Sequence, residues 1–186
     1  MRSLRLRLLA GAVIGVSVAL AVAGFVLVRM FEVHARQRYA KELDDHLVQL
    51  AAVVEADPAR ALRLRQELSN PEFQRPLSGL YWQIGEGQRV LARSRSLWDE
   101  SLALPKPPPE SGRLRVAELV GPLQKRLVLV ERLIALPASS GQPLRLAVAG
   151  DSAVIDDARG EFAAAVALSL VVLGALLAAA SWVQVG

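Results

Sequence analysis

Two arginines, Arg93 and Arg95, are the first residues in this chain whose type and spacing can do chemistry. On a strand, that spacing places both on one face. Tyr81 and Gln83 precede them at the same spacing, and Gly85-Glu86-Gly87-Gln88 is a turn that folds the two segments back on each other. Trp98 follows close behind. Guanidiniums beside an aromatic ring make a planar receptor for a carboxylate or phosphate. Tyr81, Gln83, Arg93, Arg95 and Trp98 are therefore the candidate ligand-binding residues. A half-exposed strand with solvated arginines flanking Leu91 and Leu97 shows the same alternation. Trp82 and Trp98 equally suit core or lid positions.

Other chemistry is thin. The chain has no cysteine, so disulfides, thiolate metal sites and cysteine nucleophiles are excluded. Its two histidines, His34 and His46, have no nucleophile at a telling spacing, so no catalytic residue is assigned. Asp44-Asp45-His46 and Asp156-Asp157 are acidic enough to attract a divalent cation. Adjacent carboxylates on a helix point apart, however, and a hard cation needs several converging oxygens. They read as solvated helix charges, and no metal site is assigned. No glycine-rich nucleotide lid or Walker-type loop is present, so no cofactor site is assigned in this chain.

The elements that position these residues start with two apolar runs. Residues 8–28 and 162–185 contain no charged side chain. At ~1.5 Å per residue the first reaches ~31 Å, about the hydrocarbon thickness of a bilayer. Lipid leaves no backbone polar group unpaired, so both read as transmembrane helices. Net charge is +4, and Arg2, Arg5 and Arg7 precede the first run with no acid among them. Those charges explain much of the basic balance and hold residues 1–7 in the cytoplasm, so nucleic acid is not an expected partner. Residues 29–161 then form one domain outside the cytoplasm, periplasmic where the envelope has two membranes. Residues 1–20 followed by Ala21-Val22-Ala23 also resemble a cleavable signal peptide. Phe25-Val26-Leu27-Val28 continues the apolar run past that point, which favours an uncleaved anchor.

The first helix is expected to continue through residues 29–56, which lack Gly and Pro. Ala40, Leu43, Leu47, Leu50 and Val54 form one apolar stripe, either a dimer seam or a face packed on the domain's own sheet. Asp57-Pro58 predicts a second helix over 58–68, ended by Ser69-Asn70-Pro71. The period then becomes two. Strands are expected over 78–84, 89–97, 113–120, 125–136 and 144–149, with a Pro-rich loop over 98–112. The strand at 125–136 is apolar on both faces except at Glu131 and Arg132, which predicts an interior position. Gly150-Asp151-Ser152 starts a helix that runs into the second span. The fold class is α+β: a transmembrane helical hairpin bracketing a domain with a five-stranded antiparallel sheet and flanking helices.

The charged tip, span, long helix, five-stranded domain, Pro-rich loop and second span resemble the input half of a bacterial two-component sensor histidine kinase. The central part resembles the PAS-like extracytoplasmic domains of the PhoQ/DcuS/CitA type. Two segments are similar to the periplasmic regions of such kinases: Phe73-Gln74-Arg75-Pro76-Leu77-Ser78-Gly79-Leu80-Tyr81-Trp82-Gln83-Ile84 and Arg93-Ser94-Arg95-Ser96-Leu97-Trp98-Asp99. The resemblance implies a homodimer in the inner membrane, an unknown small-molecule or protein signal, and a response regulator reached through a kinase core. That core would use ATP and Mg. Neither histidine here carries a phospho-acceptor box, so the chain reads as an input module cut off before the kinase core. A bitopic envelope scaffold, complete as it stands and binding a protein partner, is the alternative. Under the hairpin topology, a phosphatase reporter fused near Gly112 will be active in the periplasm and one fused at Gly186 will be inactive. The reverse pattern, or a mature chain beginning at Gly24, would exclude the hairpin.

Overall fold

The computed structural model describes residues 2–56, 62–66, 68–135 and 143–185. The chain forms two compact units, Met1–Arg36 with Ile155–Gly186, and Gln37–Val154.

The first unit is helical. It is built from parts of α1 (Arg2–Val53) and α2 (Ala153–Val185). Both helices are long and apolar enough to cross a membrane. Their apolar side chains face outward: Ile14, Phe25, Leu168 and Val171 are each more than half exposed. Such a surface suits lipid rather than water. The helices meet closely at Gly24, where an added Cβ would lie 2.6 Å from a Leu170 methyl. At the end of the charge-free stretch the Phe31 and Phe162 rings stack with centroids 4.4 Å apart. Beside them Glu32 pairs with Arg29 at 3.2 Å, Arg36 at 3.5 Å and Arg159 at 3.7 Å.

The second unit is a sheet with a helix segment on one face and a loop on the other. Its strands are β3 (Leu80–Glu86), β4 (Arg89–Arg93), β5 (Arg115–Val120), β6 (Arg126–Ile134) and β7 (Leu144–Asp151), in the order β4-β3-β7-β6-β5. Every pairing is antiparallel. The β3–β4 connection turns on Gly87, whose φ of 59° is the left-handed value that glycine adopts without strain. β7 is central, with β6 beside it in the interior, and both are buried along most of their length. Fully buried strands carry apolar residues on both faces, which is the pattern of these two.

The helical face is closed by the last turns of α1. Leu43, Leu47 and Leu50 are essentially inaccessible and Val54 nearly so. The stripe is therefore the domain's own core face. Gly150 permits the approach, because a Cβ there would sit 2.8 Å from Cζ of Tyr39 and 3.0 Å from a Leu43 methyl. Asp44 Oδ1 accepts from Arg132 Nη2 of β6 at 3.1 Å. After β7 only Ser152 intervenes before α2. Asp151 caps that helix, its Oδ1 accepting the Ala153 N–H at 2.9 Å while Oδ2 takes the Lys125 ammonium at 2.6 Å. Burial pulls the Asp151 carboxyl up, but Lys125 and the Ala153 N–H outweigh it and hold the group below its ordinary value.

Three local expectations are corrected. α1 ends at Val53, and Val54–Ala56 forms a strand, β1, instead of continuing the helix. β1 pairs antiparallel with β2 (Leu62–Leu64), where a helix over 58–68 was expected. Leu62-Arg63-Leu64 fits period two as well as it fits a helix, and so short an apolar run does not discriminate. The rest of that helix, 58–61 and 67, lies outside the described residues, as does the end of the strand expected over 125–136. The strand expected over 89–97 stops at Arg93, and residues Arg95–Leu97 form a 3-10 turn. There the Ser94 hydroxyl accepts the Trp82 N–H at 3.1 Å and lies 2.8 Å from the Ser96 hydroxyl, so side chains displace the ladder.

Gly150→Ala tests the packing of α1 on the sheet. Overpacking against Tyr39 and Leu43 is expected to cost about 1–3 kcal/mol. Thermal melting of the purified chain in nanodiscs measures it. An unchanged melting temperature would mean that α1 does not seat on β7 as described.

Candidate ligand-binding site

The sheet face opposite α1 carries three of the residues that sequence reasoning singled out, Tyr81, Gln83 and Arg93. Tyr81 and Gln83 project from β3 and both are buried. Tyr81 sits in a core with Leu97, Leu102, Leu127, Leu129, Ala147 and Ala149. Burial pushes its hydroxyl above the ordinary tyrosine value. Gln83 is turned to structure: its Oε1 accepts the Leu102 N–H at 2.8 Å and its Nε2 donates to the Leu102 carbonyl at 3.3 Å.

Arg93 opposes Gln83 in the β3–β4 register. Its Nη1 donates to the carbonyls of Asp99 at 3.2 Å and Glu100 at 2.7 Å. Arg95 lies past the strand end, in the 3-10 turn, so the two arginines do not share a strand face. Trp82 is core. Trp98 is 64% exposed and has φ of 55°, a left-handed value uncommon for a bulky residue. Thus Arg93, Arg95 and Trp98 lie at the surface, while Tyr81 and Gln83 lie beneath it.

Sequence reasoning missed the polar centre of this face. Glu131 of β6 has no exposed surface. Its Oε1 accepts Nε of Arg115 at 2.5 Å from β5, and its Oε2 accepts Nε of Arg145 at 2.6 Å from β7. The guanidiniums then reach outward to the Pro-rich loop. Arg145 Nη2 donates to the Pro105 carbonyl at 2.6 Å. Arg115 donates to Pro105 at 3.0 Å and to Pro107 at 2.5 Å. The signal was present in the sequence, since Glu131 is the one acid in a strand that is otherwise apolar but for Arg126 and Arg132, and a charge there needs partners. Which arginines answer it depends on register: Arg115 lies directly opposite Glu131, and Arg145 lies two residues from the opposing Ala147.

Between the β3–β4 turn and this loop lies a cavity of about 620 Å³, with Gln83 and Arg145 among its lining residues. That volume falls within the ordinary range for small-molecule sites. The acidic segments are placed otherwise. Asp44 is paired with Arg132, Asp45 is exposed, and the His46 ring stands edge-on to Phe73 at 5.5 Å. His34 Nδ1 lies 2.7 Å from the Met30 carbonyl on the same helix.

Glu131→Ala would leave two guanidiniums facing each other in the core. Breaking a buried ion cluster in this way costs about 3–5 kcal/mol. Urea unfolding of the variant will show that loss, and limited proteolysis will show faster cleavage within 98–112. Stability equal to that of the parent chain would exclude the cluster as the anchor of the loop.

No family model matches this sequence, and no solved structure matches it at a significant level. Among curated proteins, the chain is similar to the sensor protein kinase CarS of Pseudomonas aeruginosa, with 33% identity over 155 residues. The match covers 81% of this chain and 32% of the relative, so the chain spans about a third of that protein's length.

Proposed function

We propose that the chain is the membrane-embedded input module of a two-component sensor histidine kinase. In this reading residues 8–28 and 162–185 span the inner membrane, and residues 29–161 form a periplasmic, PAS-like sensor domain. The module works as a homodimer and passes an envelope signal to a cytoplasmic kinase core. That core uses ATP and Mg and acts on a response regulator. The candidate ligand residues belong to the same reading: Arg93, Arg95 and Trp98 have the exposure that contact with a ligand requires, and Tyr81 and Gln83 shape the face beneath them.

The observation that carries the reading is the continuity of each apolar helix with the sheet unit. α1 runs unbroken from Arg2 to Val53, and its last turns are packed on the sheet. α2 starts one residue after the central strand and is capped by that strand's final residue. A change in the sheet therefore has a helical route to both apolar segments. A signal shifts the equilibrium only as far as it binds one state better than the other. The similarity to a named sensor kinase supports the same reading from an independent direction.

A chimera tests it. The 186-residue chain in nanodiscs is expected to incorporate no phosphate from labelled ATP, because neither His34 nor His46 carries a phospho-acceptor box. Fusion of a HAMP–kinase core after Gly186 should produce autophosphorylation. Inserting three glycines after Arg36 should then change that activity at least about fivefold, the lower end of ordinary coupling energies. A chimera whose activity ignores the insertion would refute transmission through α1, and labelling of His34 or His46 in the isolated chain would refute the assignment as an input module.

A further inference from the structure

We propose that the cavity under the Pro-rich loop binds a small monocarboxylate carried on an apolar body, an arylacetate in the simplest case. The inference rests on the sensor reading and names the chemical class of its ligand. Of the earlier candidate residues only Gln83 lines this cavity, so the site is distinct from the surface formed by Arg93, Arg95 and Trp98.

Charge is the first argument. Arg89, Lys106 and Arg145 line the cavity, and no Asp or Glu does. Arg145 is 7% exposed and belongs to a cluster of two guanidiniums around one carboxylate. That cluster carries one positive charge in excess, shared between Arg145, which lines the cavity, and Arg115, which is partly exposed and does not. A guanidinium as buried as Arg145 with its one carboxylate partner shared is costly, and an arriving anion offsets it. Arg89 and Lys106 stand exposed at the rim, where they attract anions from solution.

Shape is the second argument. Val90, Leu102, Leu104 and Pro107 supply apolar wall. A volume of about 620 Å³ exceeds what a bare phosphate or acetate needs. A ligand with one carboxylate and a hydrocarbon or ring body meets both requirements, the carboxylate toward the cations and the body against the wall.

The third argument is position. Lys106 lies between Pro105 and Pro107, whose carbonyls Arg145 and Arg115 hold. An anion that draws Lys106 inward and engages Arg145 competes for the same guanidinium that anchors the loop. Occupancy is thereby linked to how tightly the loop sits on the sheet.

The test uses the full chain in nanodiscs with phenylacetate as probe, read by saturation-transfer NMR titration. Phenylacetate should bind saturably. Phenylacetamide, its neutral counterpart, should bind at least about tenfold more weakly, a difference of about 1.4 kcal/mol. The doubly substituted chain Arg89→Gln with Lys106→Gln alters only exposed side chains and should keep the parent's melting temperature while losing affinity to the same degree. Equal binding of the amide would overturn recognition of the anion. Citrate or inorganic phosphate binding as tightly as phenylacetate would overturn the apolar body. Undiminished binding to the variant would place the probe in lipid or elsewhere on the protein. Because no kinase core takes part, a negative result here removes the ligand assignment and leaves the chimera test of the sensor reading standing.

Discussion

A carboxylate that water cannot reach constrains this domain more than any other group. Glu131 is wholly buried, and a buried charge is tolerated only when it is paired and hydrogen-bonded. Each of its oxygens has an arginine, and each arginine has further donors that must also be satisfied. Proline has no backbone N–H, so around Pro105 and Pro107 the loop is poor in donors and meets the sheet through its carbonyls. Donors in excess on the sheet thus meet acceptors in excess on the loop. The contacts to Pro105 and Pro107 follow from that complementarity, and they let a segment without regular structure act as one wall of a core.

The opposite face follows a different rule. There the cover is α1, and the interaction is apolar contact at close range, made possible by the missing side chain of Gly150. Tyr39 lies against that glycine, and burial, with Glu42 and Asp151 nearby, pushes its hydroxyl up to about 12. One face is therefore sealed by the last turns of a helix long and apolar enough to cross a membrane, and the other by a polar clasp on a loop. Only the second is readily altered by a small charged molecule, because its strength comes from a few directed bonds rather than from area.

Much of this was legible in the sequence, for identifiable reasons. The two apolar runs, the five strands and their antiparallel turns followed from periodicity and from Gly and Pro placement. The stripe at Leu43, Leu47 and Leu50 was legible as a packed face, but its partner was not, since a heptad seam and a sheet-facing helix share one spacing. The hairpin at Val54–Ala56 and Leu62–Leu64 was misread because its apolar runs are too short to show a period. Arg93 and Arg95 were misplaced on one strand because Ser94 and Ser96 end it through side-chain hydrogen bonds, a tertiary choice that strand alternation does not encode. The cluster around Glu131 was half visible. Glu131 and Arg132 interrupted an apolar strand in the sequence, yet Arg115 and Arg145 could be named as the partners of Glu131 only once the register was known.

The connection from β7 to α2 also has a mechanical meaning. β7 is hydrogen-bonded to a neighbour on each side along nearly its whole length, over Leu144–Gly150 to β3 and Leu144–Asp151 to β6. Tension arriving through α2 therefore reaches the sheet at the end of its most fully paired strand. A strand bonded on both sides shares such a load among many bonds at once, whereas an edge strand can peel away one bond at a time. Forces from bilayer thickness or lateral pressure that reach α2 would enter the domain where it yields least.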